Sequence, residues 1–289
     1  MMSKTSPAYS NSTQESHSVG EYSRGPSTTS TPTKPKSFFQ RICQGDFRDK
    51  TDQQYSEFIQ SLKEQYQIAK RIRDSGFASV VEKKTTIRLK RDFKKLKTII
   101  LDLDETLIHS EDYVPGRNYD YVFVMDNLTF PHKKDEIGVF FRPYLMEFLE
   151  KLSKKFELVI FTAGRQDYAD HILNRIDPEN KFFAHRLYRQ HCDLVEGSMI
   201  GTKKDLHIKC LQLLSNRKKE DLLIVDNLVY SYALDLENGI PIRSYINGKN
   251  DCELEFLADA LSDLKSFMDS RMYIREKLRL DELNQFLSQ

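Results

Sequence analysis

Three short apolar runs set the class of fold open to this chain. They are "TIILDLD" (98–104), "ELVIFTAG" (157–164) and "DLLIVDN" (221–227). Each is continuous and rich in β-branched residues, the pattern of a strand buried on both faces of a parallel sheet. Helical patterns separate them: "PYLMEFLEKLSKK" before the second, "DYADHILNRI" after it and "KKDLHIKCLQLL" before the third. The alternation predicts an α/β domain with a doubly wound, mostly parallel sheet. A fourth strand is expected in "GIPIRSY" (239–245) and a closing amphipathic helix over 252–268. The tail "YIREKLRLDELNQFL" also reads as helix.

One block breaks the alternation. Residues 113–141 carry "YDYVFVMDNLTF", a polar loop and then "GVFF". Two β-rich runs about Asp126-Asn127 predict a small β-hairpin insert placed straight after the first core strand.

The flanks are different in kind. Of the first 37 residues, 20 are Ser, Thr or Pro. Such a segment buries too little apolar surface to offset its ordering entropy. Residues 1–50 are therefore expected to form a disordered lead, 51–92 a helix and basic segment, 93–275 the catalytic-type domain and 276–289 a helical tail. Within the second part, 52–76 has helical spacing at Tyr55, Phe58, Ile59, Leu62 and Tyr66, and Gly76 stops it. The run 83–97 holds eight Lys or Arg and one Asp, either a solvated face or a contact for an acidic partner.

A formal net charge of +1 argues against a nucleic-acid coat. Cys43, Cys192, Cys210 and Cys252 are scattered without Cys-x-x-Cys spacing, which points to reduced, inert thiols. No apolar run reaches the length of a membrane span and no secretory h-region opens the chain. An intracellular protein, nuclear or cytoplasmic, is expected, with no direct nucleic-acid partner.

All three core runs end in chemically capable residues: Asp102 and Asp104, then Thr162, then Asp226 and Asn227. In an open parallel sheet the carboxyl ends of the strands share one edge, and ligands bind there. An Asp after a strand is often only a helix N-cap, but Asp102 still lies within its apolar run. Carboxylates at i and i+2 would repel in a dry site unless a cation were bound. Mg²⁺ suits oxygen ligands and needs only two or three from the protein. A carboxylate can also attack phosphorus, a second can act as acid and then base, and donors around the phosphoryl oxygens stabilise the transfer. Lys203 and Lys204, at the start of the third helical pattern, both offer a cation, and spacing alone does not separate them.

In order, "LDLDETLIHS", "FRPYLMEFL", "ELVIFTAGRQDYAD", "LYRQHC", "KKDL" and "IVDN" resemble successive motifs of aspartate-nucleophile phosphatases of the haloacid dehalogenase superfamily. The resemblance, over about residues 95–275, is to the small C-terminal-domain, or NLI-interacting-factor-like, phosphatases. "YRQHC" is most similar to the Dullard branch. It implies Asp102 as nucleophile and Asp104 as general acid/base. Thr162 and Lys204 would bind phosphate, Lys204 because "KDL" follows the family register, with Arg142 of "FRP" nearby. Asp102, Asp104 through its carbonyl, and Asn227 would hold Mg²⁺, with Asp226 as a direct or outer partner.

The resemblance further implies a phosphoserine or phosphothreonine protein substrate, often in a Ser-Pro-rich tail, and a regulatory subunit. Tyr121, Phe123 and Phe130 of the insert would wall a proline pocket, or else pack the hairpin onto the domain. Two departures stand out. "DNLV" replaces the family's usual "DNSP", placing Leu228 and Val229 after Asn227, and the membrane anchor of Dullard relatives is not visible here. Besides the phosphatase, a non-enzymatic phosphoprotein- or presequence-binding module, like a mitochondrial translocase subunit of similar fold, is a second reading. A phospho-accepting receiver fails, because "ELVIFTAG" ends in Thr, not Asp.

Overall fold

The computed structural model describes residues 37–78, 86–89, 95–130 and 132–289. The lead before residue 37 and most of the basic run 83–97 lie outside them. The described elements, in chain order, begin with α1 (Phe38–Cys43) and α2 (Gln53–Asp74), followed by β1 (Thr98–Leu101). Next come β2 (Ile108–Asp112), β3 (Tyr121–Asp126), β4 (Lys134–Phe141), α3 (Leu145–Ser153) and β5 (Glu157–Phe161). Then follow α4 (Gln166–Ile176), β6 (Phe183–Leu187), β7 (Asp193–Val195), α5 (Gly197–Ile200), β8 (Leu206–Ile208) and β9 (Leu222–Asp226). β10 (Gly239–Pro241), α6 (Glu253–Ala260), α7 (Ser270–Leu278) and α8 (Leu280–Leu287) close the chain.

The three apolar runs are the three middle strands of one parallel sheet, ordered β10-β9-β1-β5-β6. Every residue of β1, β5 and β9 is buried, as continuous apolar strands covered on both faces must be. β1 is central. Leu101 pairs with Ile160 on one side and Val225 on the other, so the next residues of all three strands emerge at one level. Register, then, is what gathers the strand ends.

The insert is larger than a hairpin. It is a three-stranded antiparallel sheet, β2-β4-β3, and its first strand starts at Ile108, before the expected boundary. β3 and β4 are joined through 127–133, where Asn127 Oδ1 accepts the backbone N–H groups of Thr129 (2.9 Å) and Phe130 (2.8 Å). Only one β-rich run of "YDYVFVMDNLTF" is a strand.

The expected helix before the third core strand is absent. Leu206, Ile208 and Cys210 alternate at the period of a strand, and β7 pairs with β8 as a short antiparallel ribbon (Asp193↔Ile208, Val195↔Leu206). The apolar residues after them form only a short 3₁₀ turn, Leu211–Leu213. Gly197 of α5 lies where a Cβ would sit 2.5 Å from the Thr202 carbonyl and 2.7 Å from that of Lys204, so this link tolerates no side chain there.

The segment before the domain is also more structured than its composition suggests. α1 falls inside the expected lead, with Phe39 and Ile42 in the core. Glu253, at the start of α6, accepts the N–H groups of Phe38 (2.6 Å) and Phe39 (3.0 Å) and the Ser37 hydroxyl (2.8 Å). A buried carboxylate thus occupies the donor-rich end of α1. α2 begins at an Asp52 N-cap, buries Tyr55, Ile59, Leu62, Ala69 and Ile72, and packs along the helical turns Val229–Asn238 that follow β9.

Candidate active site

The chain leaves β1 through Asp102, Leu103 and Asp104. It then turns at Glu105, whose positive φ of 56° lets the backbone double back so that Glu105 N–H bonds the Ile108 carbonyl (2.7 Å). That turn puts Thr106 beside the strand it has just left. Its hydroxyl lies 2.9 Å from Asp102 Oδ2 and 3.3 Å from Asn227 Oδ1, and it accepts the Asn227 N–H (3.2 Å). One small side chain therefore ties the end of β1 to the end of β9. Asn227 Nδ2 donates to Ser244 Oγ (2.9 Å), which leaves the amide oxygen facing Asp102.

Thr162 follows β5 and is fully buried. Its Oγ1 donates to Asp104 Oδ2 (3.2 Å) and accepts the Gly164 N–H (2.8 Å). From the first turn of α4, the Tyr168 hydroxyl bonds Asp104 Oδ1 and meets Ser110 Oγ at 2.6 Å. Burial pushes the Asp104 carboxyl above its ordinary range despite these donors.

The cation at the centre is Lys209. Its ammonium, 2% exposed, bonds Asp102 Oδ1 and reaches Asp226 Oδ2 at 2.6 Å. Burial alone would lower its pKa, but the two carboxylates outweigh that and hold it above its ordinary value. Asp102 goes the same way for a different reason: burial, with Asp226 beside it, outweighs Lys209 and pushes the carboxyl up to about 7. One ammonium faces two carboxylates, so both partners can be raised together.

Two of the expected residues, Lys204 and Arg142, lie outside the cleft, and Asp226 lies within it as an outer partner. Lys204 is exposed, its carbonyl turned toward Thr202 Oγ1 (2.9 Å), and it does not line the cleft. "KKDL" reproduces a family motif in letters only, while Lys209 reaches the cleft from the end of β8. Arg142 is buried away from the cleft. Its guanidinium forks onto Asp251 (2.9 and 2.9 Å) and donates to the Thr106 and Arg243 carbonyls (2.9 Å each). It braces the Thr106 turn and has no free face for phosphate. Asp226 has both oxygens occupied: Oδ1 by the Leu228 N–H (2.8 Å), and Oδ2 by Lys209 and the Ser231 hydroxyl (2.6 Å). It holds the lysine rather than offering an open ligand.

The three aromatic residues of the insert divide. Phe123 is buried and stacks on His171 of α4 (4.7 Å), and Tyr121 stacks on Phe123 (5.6 Å), so both pack the insert onto the domain. Phe130 is 55% exposed on the β3–β4 loop, under the Lys133 ammonium. The β3 residue that lines the cleft is Met125, with Arg165, Arg189 and His207 elsewhere on the wall.

The cleft encloses about 570 Å³. A larger cavity, about 870 Å³, lies between the α1–α2 connection and residues 243–253. The second is lined by none of the strand-end groups, so size is a poor guide and the converging chemistry locates the site.

A divalent metal fits the donors here. Two carboxylates, Asp102 and Asp226, face a single buried ammonium, and the Asp104 carboxyl lines the same cleft. Asp102 Oδ2 and Asn227 Oδ1 converge on one hydroxyl, and both are the hard oxygen donors that Mg²⁺ prefers. Among the described residues no group of three His, Cys, Asp or Glu is placed to hold a metal ion by itself.

A parallel sheet that gathers acid, alcohol, amine and amide at its carboxyl edge fits a protein phosphatase of the haloacid dehalogenase type. The family model for NLI interacting factor-like phosphatases matches residues 97–271, and the chain belongs to that family. "CTD small phosphatase-like protein 3" of Caenorhabditis elegans is 38% identical over 194 residues, 66% of this chain and 62% of that protein. "Nuclear envelope morphology protein 1" of Schizosaccharomyces pombe is 35% identical over 193 residues, 62% of this chain and 34% of that protein. Among solved structures, Fcp1, described as an essential RNA polymerase II CTD phosphatase, matches with a TM-score of 0.42 and 22% identity. The match covers 68% of this chain and 63% of that one. The chain spans 30–62% of the length of these and similar curated relatives. No described helix is long and apolar enough to cross a membrane.

Proposed function

We propose that the chain is a Mg²⁺-dependent protein phosphatase that hydrolyses phosphoserine or phosphothreonine through an aspartyl-phosphate. The observation that carries this reading is the convergence of Asp102, Asp104, Thr162, Lys209 and Asn227, from widely separated segments, on one cleft. Asp102 attacks phosphorus, and the bond to the serine or threonine oxygen breaks as Asp104 delivers its proton to that oxygen. Asp104, now ionised, takes a proton from water, which attacks the same phosphorus. Inorganic phosphate leaves and the Asp102 carboxylate is restored. Lys209 and Thr162 stabilise the charge on the phosphoryl oxygens. Asp102, the Asp104 carbonyl and Asn227 would hold Mg²⁺, which when bound would supply positive charge to those oxygens and offset the carboxylates.

Asp104 is suited to its role. Burial raises it toward the protonated form needed to donate, while Tyr168 and Thr162 hold the carboxyl in place. Among the described residues no large cap covers the cleft, so a flexible phosphopeptide enters it more readily than it would an enclosed pocket.

The test is hydrolysis of an aryl phosphate and of phosphoserine and phosphothreonine peptides, with and without chelator, beside Asp102→Asn. Chelator should abolish turnover, and the variant should lose at least about 10³-fold. Full activity in Asp102→Asn would sink the assignment. Phosphopeptide binding without any turnover by the wild-type protein would favour the binding-module reading instead.

A further inference from the structure

We propose that Gln65, on α2, is a positioning residue for the catalytic loop after β9, an inference that rests on the phosphatase reading. A proline carries no N–H, whereas Val229 does, and at 4% exposure that donor needs a partner. The partner comes from 164 residues away: Val229 N–H donates to Gln65 Oε1 at 2.7 Å. The other end of the same amide, Nε2, donates to Ser61 Oγ one turn earlier on α2 (3.1 Å).

What the bond holds still is the frame of the site. Two residues on from Val229, Ser231 N–H bonds the Leu228 carbonyl (2.9 Å), and the Ser231 hydroxyl bonds Asp226 (2.6 Å). The Ser231 carbonyl accepts the backbone N–H of Lys209 (2.6 Å), and Leu228 N–H bonds the other Asp226 oxygen. A shift at Val229 therefore reaches the lysine and the carboxylate that orients it, and through Lys209 it reaches Asp102. Gln65 touches none of the reacting groups and acts only through this loop.

Leu228 is extended (φ −111°, ψ 101°), and Val229 opens a 3₁₀ segment, the position whose N–H has no partner within the helix. Gln65 thus supplies an acceptor that the proline form would not require.

The experiment is a double-mutant cycle in the full chain with Gln65→Met, Val229→Pro and both together, read by aryl phosphate kinetics, thermal melting and backbone amide exchange. Gln65→Met should lower kcat about tenfold with KM changed by about twofold or less. It should also speed exchange at the Ser231 and Lys209 amides. In the Val229→Pro background, where no N–H remains for Gln65 to accept, the Gln65 effect should vanish. Gln65→Glu, which keeps an acceptor, should hold kcat within about twofold of wild type. Equal losses from Gln65→Met in the Val and Pro backgrounds would show that only helix packing matters and overturn the proposal. If the wild-type chain has no phosphatase activity, that reading fails by itself. Amide exchange at Ser231 and Lys209 then decides the Gln65 role, and rates unmoved by Gln65→Met overturn it.

Discussion

Lys209 and Asp226 form an ion pair of 2.6 Å with side chains 2% and 1% exposed, and the same ammonium bonds Asp102. Removing the lysine would strand two buried carboxylates. Lys209→Met should therefore destabilise the metal-free protein by about 3–5 kcal/mol and abolish hydrolysis. Lys204→Ala, at an exposed residue outside the cleft, should change kcat by about twofold or less. Melting curves and aryl phosphate kinetics on the two variants separate the structural lysine from its look-alike in the motif.

Tyr168 bears on the proton held by Asp104. Its hydroxyl stabilises the ionised carboxylate against burial. In Tyr168→Phe that support is gone, so Asp104 should keep its proton to higher pH. The alkaline limb of the pH–rate profile, where the general acid deprotonates, should move upward. The loss in kcat should be about tenfold or less, well under the roughly 10²-fold or more of removing general acid catalysis. A limb that moves down or stays fixed would contradict the assignment.

Arg142 braces the Thr106 turn through a fork that lysine cannot reproduce. Arg142→Lys keeps the charge but loses the bidentate grip on Asp251 and one or both carbonyl bonds. A loss of about 2 kcal/mol in denaturant unfolding is expected. Activity should fall with it, because Thr106 orients both Asp102 and Asn227.

Glu253 couples α1 to pH. Burial outweighs Arg142 and the bonds from Phe39, Phe38 and Ser37, so its carboxyl sits above the ordinary glutamate value of 4.5. The folded state thus holds the proton more tightly than the unfolded chain. The stability this adds is complete below pH 4.5 and is lost as pH rises through the higher folded value. Glu253→Gln should flatten the fall in thermal midpoint over that window. An unchanged slope would show that Glu253 is not its source.

Much of this site could be read from the letters. "TIILDLD", "ELVIFTAG" and "DLLIVDN" are continuous because their strands are covered on both faces, and a parallel sheet has only one carboxyl edge to which Asp102, Thr162 and Asn227 can point. The lysine could not be read this way. "KDL" points to Lys204, which is exposed and outside the cleft, and the alternation of Leu206, Ile208 and Cys210, the one local clue to a strand, sits inside a pattern that also fits a helix. Arg142 looks like a ligand in sequence because motif position says nothing of which way a guanidinium faces. The docking of α1 on Glu253 depends on residues more than 200 positions apart, beyond the reach of any local pattern.

β1, which leads straight into Asp102, stands third of five in the sheet, with a neighbour on each side bonded along its whole length. The other groups of the candidate site reach it from strand ends and links, Lys209 among them from the end of β8. Such a plan seats the candidate site on the part of the molecule whose backbone is paired on both sides.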